Sequence, residues 1–436
     1  MKGQSVFAFD ILLFVSTLIL VTLGIAFIYS SGITSSGEVI STEHIKQTIW
    51  AITGVGLLVF FASFDYMTLR RWSLRVYLVF ICLLVLTLFL GRVVNYSKSW
   101  IGIWELGIQP SEFCKVAMIV QLAHVLDKKN TQLRDLKFFA LFFGIAALPM
   151  LLILIQPDLG TALVFIPVSI VMFFIAGAKT RHIAFVVLAG LLMIFFTILP
   201  YYGMYFGGGN ASAMSLFTDK TLSLYLIGAV FMVCALSCAG LFFSKKNYFY
   251  WFFYFSLLLF FALAGSFAAR SVLKEYQIMR LVVFIDPNID PKGAGWNIIQ
   301  SMNAIGSGGL WGKGFLKGTQ SHYRYIPQQS TDFIFSILSE EWGFAGCLLV
   351  FVLFFIIIVR GLFIIRTSQD RFAAIAATGI VTMIFFHFAV NVGMAIGLMP
   401  ITGIPLFFLS YGGSSLWSVL ISIGLLMSFY IRRFKV

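Results

Sequence analysis

Long apolar runs separated by short polar breaks recur along the whole chain. Runs near the ~20 residues that a helix needs to cross a bilayer cover residues 9–31, 47–64, 75–91, 111–126, 138–155, 161–177, 183–199, 221–243, 249–268, 333–359, 371–397 and 405–430. Each is continuous rather than alternating, which argues against a transmembrane β-barrel. The pattern predicts an all-α polytopic integral membrane protein of about 12 transmembrane helices. The first run, Phe9 to Tyr29, has a span's length and lacks an Ala-x-Ala-type end, so no cleavable signal peptide is expected.

The breaks differ in character. Alternate ones are short and basic: Lys2; Arg70, Arg71 and Arg75; Lys128, Lys129, Arg134 and Lys137; Lys179 and Arg181; Lys245 and Lys246; Arg360, Arg366 and Arg371; and Arg432, Arg433 and Lys435. By the positive-inside rule these face the cytoplasm, and both termini with them. The opposite side carries the longer polar segments 32–46, 92–110, 200–220 and, largest, 269–332. A functional face outside the cytoplasm is therefore expected, which disfavours a cytosolic nucleotide as direct substrate. Composition agrees, with 60% hydrophobic and 11% charged residues and a mean hydropathy of +0.98. A net charge of +13 could serve nucleic acid, but the bases lie in loops between apolar runs. Cys82, Cys114, Cys234, Cys238 and Cys347 sit in or beside those runs and imply neither a disulfide framework nor a metal site.

An ionised group at mid-membrane costs about 2.5–3.5 kcal/mol on insertion scales, so such groups usually face a cavity or a partner. Gln109-Pro110-Ser111-Glu112 opens the fourth run and Gln156-Pro157-Asp158-Leu159-Gly160 the sixth. Helix capping explains either alone, because Pro and an acid suit a first turn. Glu112 and Lys115 share a helix face, and an ion pair shaping a polar cavity is the preferred reading. Upstream, Trp100 reads first as an interfacial anchor. The alternative places Lys98 on phosphate and Trp100 against a sugar or lipid headgroup.

The segment 269–332 is an irregular, Gly/Pro-broken stretch with Arg270, Lys274, Glu275, Tyr276, Gln277, Arg280, Asp286, Asp290 and Lys292. Its run Ala304 to Gln320 is rich in glycine but fails the Walker A pattern, with Ser307 and Gly314 at key positions. A backbone able to approach phosphate, with Lys313 and Lys317 nearby, and a flexible basic loop fit it equally. Asp332 suits the cap of the tenth run. Glu340 and Glu341 fall about two turns inside that run, where a lipid-facing surface does not explain them. The last run contains Ser410, Tyr411, Gly412, Gly413, Ser414 and Ser415, which favours close helix packing.

Together these motifs resemble the SEDS family, which includes the RodA, FtsW and SpoVE branches, from the first run to the C-terminus. The resemblance is carried by Lys98–Trp100, Gln109–Glu112, Gln156–Gly160, Tyr276–Gln277 with Arg280, Asp286–Gln300, Ala304–Gln320, Thr331–Phe335, Asn391–Gly393 and Gly403–Ser415. Asp286-Pro287, Gly312-Lys313-Gly314 and Gly318-Thr319-Gln320 look more like the RodA branch. The resemblance implies a peptidoglycan glycosyltransferase that polymerises lipid II on the outer side of the bacterial cytoplasmic membrane. The family's essential aspartate, in an Asp-Pro-x-Gly-x-Gly motif, falls on Asp290, with Pro291, Gly293 and Gly295 matching; Asp286 ranks second. A class B penicillin-binding protein and the elongation machinery are the implied partners. About ten spans are usual in the family, so a hairpin near 200–268 reads as an insertion before the large loop. Trp296, Ser330 and Phe407-Phe408-Leu409 also depart from the usual pattern.

Lipid II is α-linked to pyrophosphate and the glycan is β-1,4-linked, so one inverting displacement is expected. It needs a base for the attacking hydroxyl and charge stabilisation for the leaving group. Asp290 is the candidate base, or the holder of a divalent cation, Mg or Mn, on the pyrophosphate. Lys98, Arg280, Lys292, Lys313 and Lys317 are candidate phosphate contacts. Trp100, Gln109, Glu112, Lys115, Asp158, Gln320 and Ser414 complete the candidate substrate-binding set. The rival readings are a lipid II flippase without bond chemistry, a recruiting scaffold, and a division or sporulation relative.

Overall fold

The computed structural model describes residues 9–94, 97–103, 106–129, 133, 135–206, 217, 219–244, 246–273, 275–293 and 295–434. Lys2, Arg134, Lys245, Lys274, Lys435 and part of the 200–220 segment lie outside these. Helices occupy every expected position. In chain order they begin with α1 (Ile11–Ser31), α2 (Glu43–Ser63) and α3 (Tyr66–Leu90). A small antiparallel sheet follows, β1 (Arg92–Val94), β2 (Ser97–Ile103) and β3 (Leu106–Ile108), in that spatial order. Then come α4 (Pro110–Lys128), α5 (Leu136–Ile155), α6 (Leu159–Ile175), α7 (Thr180–Phe206), α8 (Lys220–Ser244) and α9 (Asn247–Val272). The chain continues with α10 (Glu275–Ile285), a 3-10 turn (Pro287–Ile289), α11 (Trp296–Gly308), α12 (Thr319–His322), α13 (Ile334–Thr367), α14 (Arg371–Ala395) and α15 (Gly413–Ile431).

Among the described residues, ten helices are long and apolar enough to cross a membrane, and the protein is a multi-pass membrane protein. Two of the expected spans differ for physical reasons. Helix α4 buries Glu112, Lys115 and Gln121 among its apolar residues, which lowers its apolarity. Helix α6 is apolar but has only 17 residues. The final helix starts at Gly413 rather than near 405, because Phe408 and Gly412 hold positive φ and interrupt the run. The large polar segment is not an open loop: α10, the 3-10 turn, α11 and α12 lie within it.

The chain divides into two compact units, Met1–Ala178 with Asn297–Val436, and Lys179–Trp296. In the larger unit, Arg70 pairs with Asp127 and Asp370, and Arg360 with Asp10, at the basic ends of their helices. Gly424 and Gly24 allow close backbone approach there: a Cβ on Gly24 would lie 2.3 Å from the Phe408 carbonyl oxygen. In the smaller unit, α8 and α9 pack together and α9 packs on α7. Arg181 fastens that contact, donating to the Tyr250 hydroxyl at 2.9 Å and facing the Tyr250 and Trp251 rings.

Candidate functional site

The turn that carries Asp290 is shaped by its neighbours. The Asp286 carboxylate accepts from the Asn288 backbone N–H at 2.9 Å and so caps the 3-10 turn. The Asp290 carbonyl then accepts from the N–H groups of Gly293 (3.3 Å) and Gly295 (2.9 Å). Space explains both glycines. A Cβ at Gly293 would sit 2.2 Å from Asp290 Oδ2, and one at Gly295 would sit 2.2 Å from the Pro287 carbonyl oxygen. The Asp-Pro-x-Gly-x-Gly spacing is therefore what lets the chain fold back around this carboxylate. Asp290 and Arg280 are half-buried, and Lys292 is exposed.

In the larger unit the structure gathers five of the expected residues into two polar clusters, Gln109 with Asp158 and Ser414, and Glu112 with Lys115. The Gln109 backbone N–H donates to Ser414 Oγ at 3.0 Å, and Gln109 Nε2 donates to Asp158 Oδ2 at 2.8 Å. Asp158 caps α6, accepting from the backbone and hydroxyl of Thr161. Burial pushes its carboxyl above the ordinary range, and the Thr161 hydrogen bonds oppose that shift. One turn into α4, Lys115 Nζ lies 2.8 Å from Glu112 Oε1, and both side chains are almost fully buried. Ser418 donates to Glu112 Oε2 at 3.3 Å. The expected ion pair thus forms inside the protein, with both carboxylate oxygens of Glu112 accepting a hydrogen bond.

Other candidates have local structural work. Lys98 Nζ donates to the Leu88 and Phe89 carbonyls at 2.8 and 3.0 Å, capping the C-terminus of α3. Trp100 lies over Gly107 of the neighbouring strand, where a Cβ would be 2.9 Å from its ring. Lys313 donates to Glu340 Oε1 at 2.7 Å. The same oxygen accepts from the Thr319 backbone (2.7 Å), the Thr319 hydroxyl (2.9 Å) and the Gln320 backbone (2.9 Å). Glu340 Oε2 accepts from the backbone and hydroxyl of Ser321. Glu341 accepts from Ser30 and from the Leu316 backbone. Lys317 is exposed.

The glycine-rich stretch makes its close approach to the protein itself. Gly343 interrupts α13 with φ 62°. The N–H groups of Lys313 and Gly314 reach the Glu340 and Glu341 carbonyls at 3.0 and 2.9 Å. The Phe344 and Ala345 N–H groups return to the carbonyls of Gly309 and Leu310. A Cβ on Gly312 would lie 2.0 Å from the Glu341 carbonyl oxygen.

Two residues here, His387 and Asn391, were not among the candidate site residues. His387 contacts Lys115 and stacks on Phe407. Asn391 Nδ2 donates to the carbonyls of Asp332 (2.8 Å) and Ile404 (2.9 Å). Their four-residue spacing on α14 places them on one face, a signal visible in the sequence once the run is taken as helical. Among the described residues, no group of three or more His, Cys, Asp or Glu side chains is arranged to hold a metal ion. A cation held wholly by protein ligands does not fit.

A family model described as a cell cycle protein, spanning FtsW, RodA and SpoVE, matches residues 10–222 and 213–434. The chain is 47% identical to the peptidoglycan glycosyltransferase RodA of Treponema pallidum, over 99% of this chain and 100% of the relative. It is 34% identical to stage V sporulation protein E of Bacillus subtilis, covering 96% of each. Identity to the peptidoglycan glycosyltransferase MrdB of Escherichia coli is 30%, over 87% of this chain and 83% of the relative. The fold is similar to that of a chain in a peptidoglycan synthase complex, with a TM-score of 0.66, 23% identity and coverage of 99% and 100%. It is also similar to the rod shape determining protein RodA of Thermus thermophilus, with a TM-score of 0.61, 22% identity and 99% coverage of each.

Proposed function

Because the chain belongs to the FtsW/RodA/SpoVE family of cell cycle proteins, we infer that it is a peptidoglycan glycosyltransferase. Its full-length likeness to a RodA enzyme carries this reading. The substrate we assign is lipid II, polymerised into β-1,4 glycan strands at the outer face of the bacterial cytoplasmic membrane during elongation. The basic helix ends and the polar segments opposite them support that orientation.

The reaction inverts the donor's α-linkage in one displacement. Asp290 takes the proton from the attacking 4-hydroxyl as the new glycosidic bond forms and the bond to pyrophosphate breaks. The half-exposed position of Asp290, on a tight turn that needs both glycines, supports this role. Arg280 and Lys292 supply charge to the departing undecaprenyl pyrophosphate, and Lys317 is a further exposed cation for substrate. Lys98 and Lys313 serve chiefly to hold their own loops. Gln109, Asp158 and Ser414, together with the Glu112–Lys115 pair, give the membrane domain a polar lining for substrate, with Trp100 at its edge. A divalent cation fits only if the substrate's diphosphate provides most of its ligands. Asp290 would then be its protein ligand, and the ion would supply charge neutralisation.

A class B penicillin-binding protein is the partner we assign, supported by the fold's likeness to a chain of a peptidoglycan synthase complex. The buried Glu112–Lys115 pair gives lipid translocation some footing as a second reading. Purified lipid II in proteoliposomes separates the two. The enzyme reading predicts glycan strands from the protein, alone or with its transpeptidase. Translocation of lipid II without strands under any of these conditions would overturn it.

A further inference from the structure

His387 has no task in the reaction assigned above, yet it sits within the buried network on α14, about 1% exposed. Its Nδ1 lies 3.0 Å from the Pro405 carbonyl oxygen and its Nε2 lies 3.1 Å from Lys115 Nζ. A carbonyl can only accept, so Nδ1 carries the proton and Nε2 turns its lone pair to the ammonium. The ring stacks on Phe407 at 3.6 Å between centroids. Lys115 is thereby held at three points: Glu112 at 2.8 Å, His387 at 3.1 Å and the Phe407 face at 5.4 Å. With Glu112 alone, one turn away on the same helix, a flexible lysine could swing. The imidazole removes that freedom, and its second bond ties the position to the irregular segment before α15.

We propose that His387 is a positioning residue of the glycosyltransferase, acting through Lys115 to hold the Glu112–Lys115 pair in the geometry that polymerisation requires. The inference rests on the polymerase reading. It is tested by comparing H387F and H387Q in lipid II polymerisation. Phenylalanine keeps the stack and loses both hydrogen bonds. Glutamine can accept from Lys115 through its amide oxygen and donate to Pro405 through its nitrogen. We expect H387F to lower kcat about tenfold or more, since small misplacements in an active site cost that much. KM for lipid II should stay close to wild type, the variant should remain folded at the assay temperature despite the two lost hydrogen bonds, and H387Q should recover most of kcat. Should H387F not fold, H387N, too short to span both partners, replaces it in the same comparison. Unchanged kcat, a loss confined to KM, a loss no greater than the loss of folded protein at the assay temperature, or an H387Q as impaired as H387F would each overturn the proposal. A wild type that makes no strands would overturn the polymerase reading itself, and this inference with it; failure confined to the variants leaves that reading standing.

Discussion

Glu340 and Asp290 are both carboxylates in a membrane protein, and they differ in burial. Glu340 is fully buried and accepts six hydrogen bonds from Lys313, Thr319, Gln320 and Ser321. Its charge is spent on holding a loop against a broken helix. Asp290 is half-exposed, and the chain beside it carries glycines where any side chain would strike its carboxylate or the turn around it. One setting saturates the acid with protein donors in the interior, and the other leaves it half-exposed on a turn that only glycines permit. Conspicuous acids in a polar membrane segment are thus told apart by what crowds them rather than by their spacing.

The largest expected effect is on the Glu340 side of this comparison. Glu340→Ala strands a partly buried lysine and several donors, and breaking such a buried pair costs about 3–5 kcal/mol. Thermal unfolding in detergent should show a marked fall in melting temperature, and a wild-type value would contradict the fastening role. On the Asp290 side, Gly293→Ala pushes a methyl into the carboxylate. Turnover should fall roughly a hundredfold while the melting temperature holds; equal losses in both would blur the distinction. Lys313→Met removes one of the six donors to Glu340 and should cost about 1–3 kcal/mol of stability, read by the same unfolding assay. Lys317→Ala is the mildest. An exposed lysine that meets substrate should raise KM a few-fold and leave stability within about 0.5 kcal/mol.

The helix plan was legible because apolar runs of span length leave few alternatives. It failed locally where composition and geometry part company. Leu406 to Leu409 are apolar enough to read as helix, yet Phe408 has φ 69° and the helix begins only at Gly413. Strands β1 and β3 have only three residues each and β2 seven, too short for an alternation to announce the sheet. Glu112 and Lys115 were legible as a pair because their contact is local, three residues apart on one helix. The role of Glu340 was not, because its donors return from a loop 19 to 27 residues earlier. His387 lies 272 residues from Lys115, and no spacing rule reaches across that distance. The capping role of Lys98 is not legible in the sequence, because a helix C-terminus ten residues upstream offers no signal of its own.

The most direct test is the initial rate of lipid II polymerisation by Asp290→Asn in proteoliposomes, measured beside wild type of equal melting temperature. Asparagine keeps the size and the turn but cannot take the proton. The rate should drop to the background of protein-free vesicles. A variant that polymerises at the wild-type rate would contradict the assignment of Asp290 as the base.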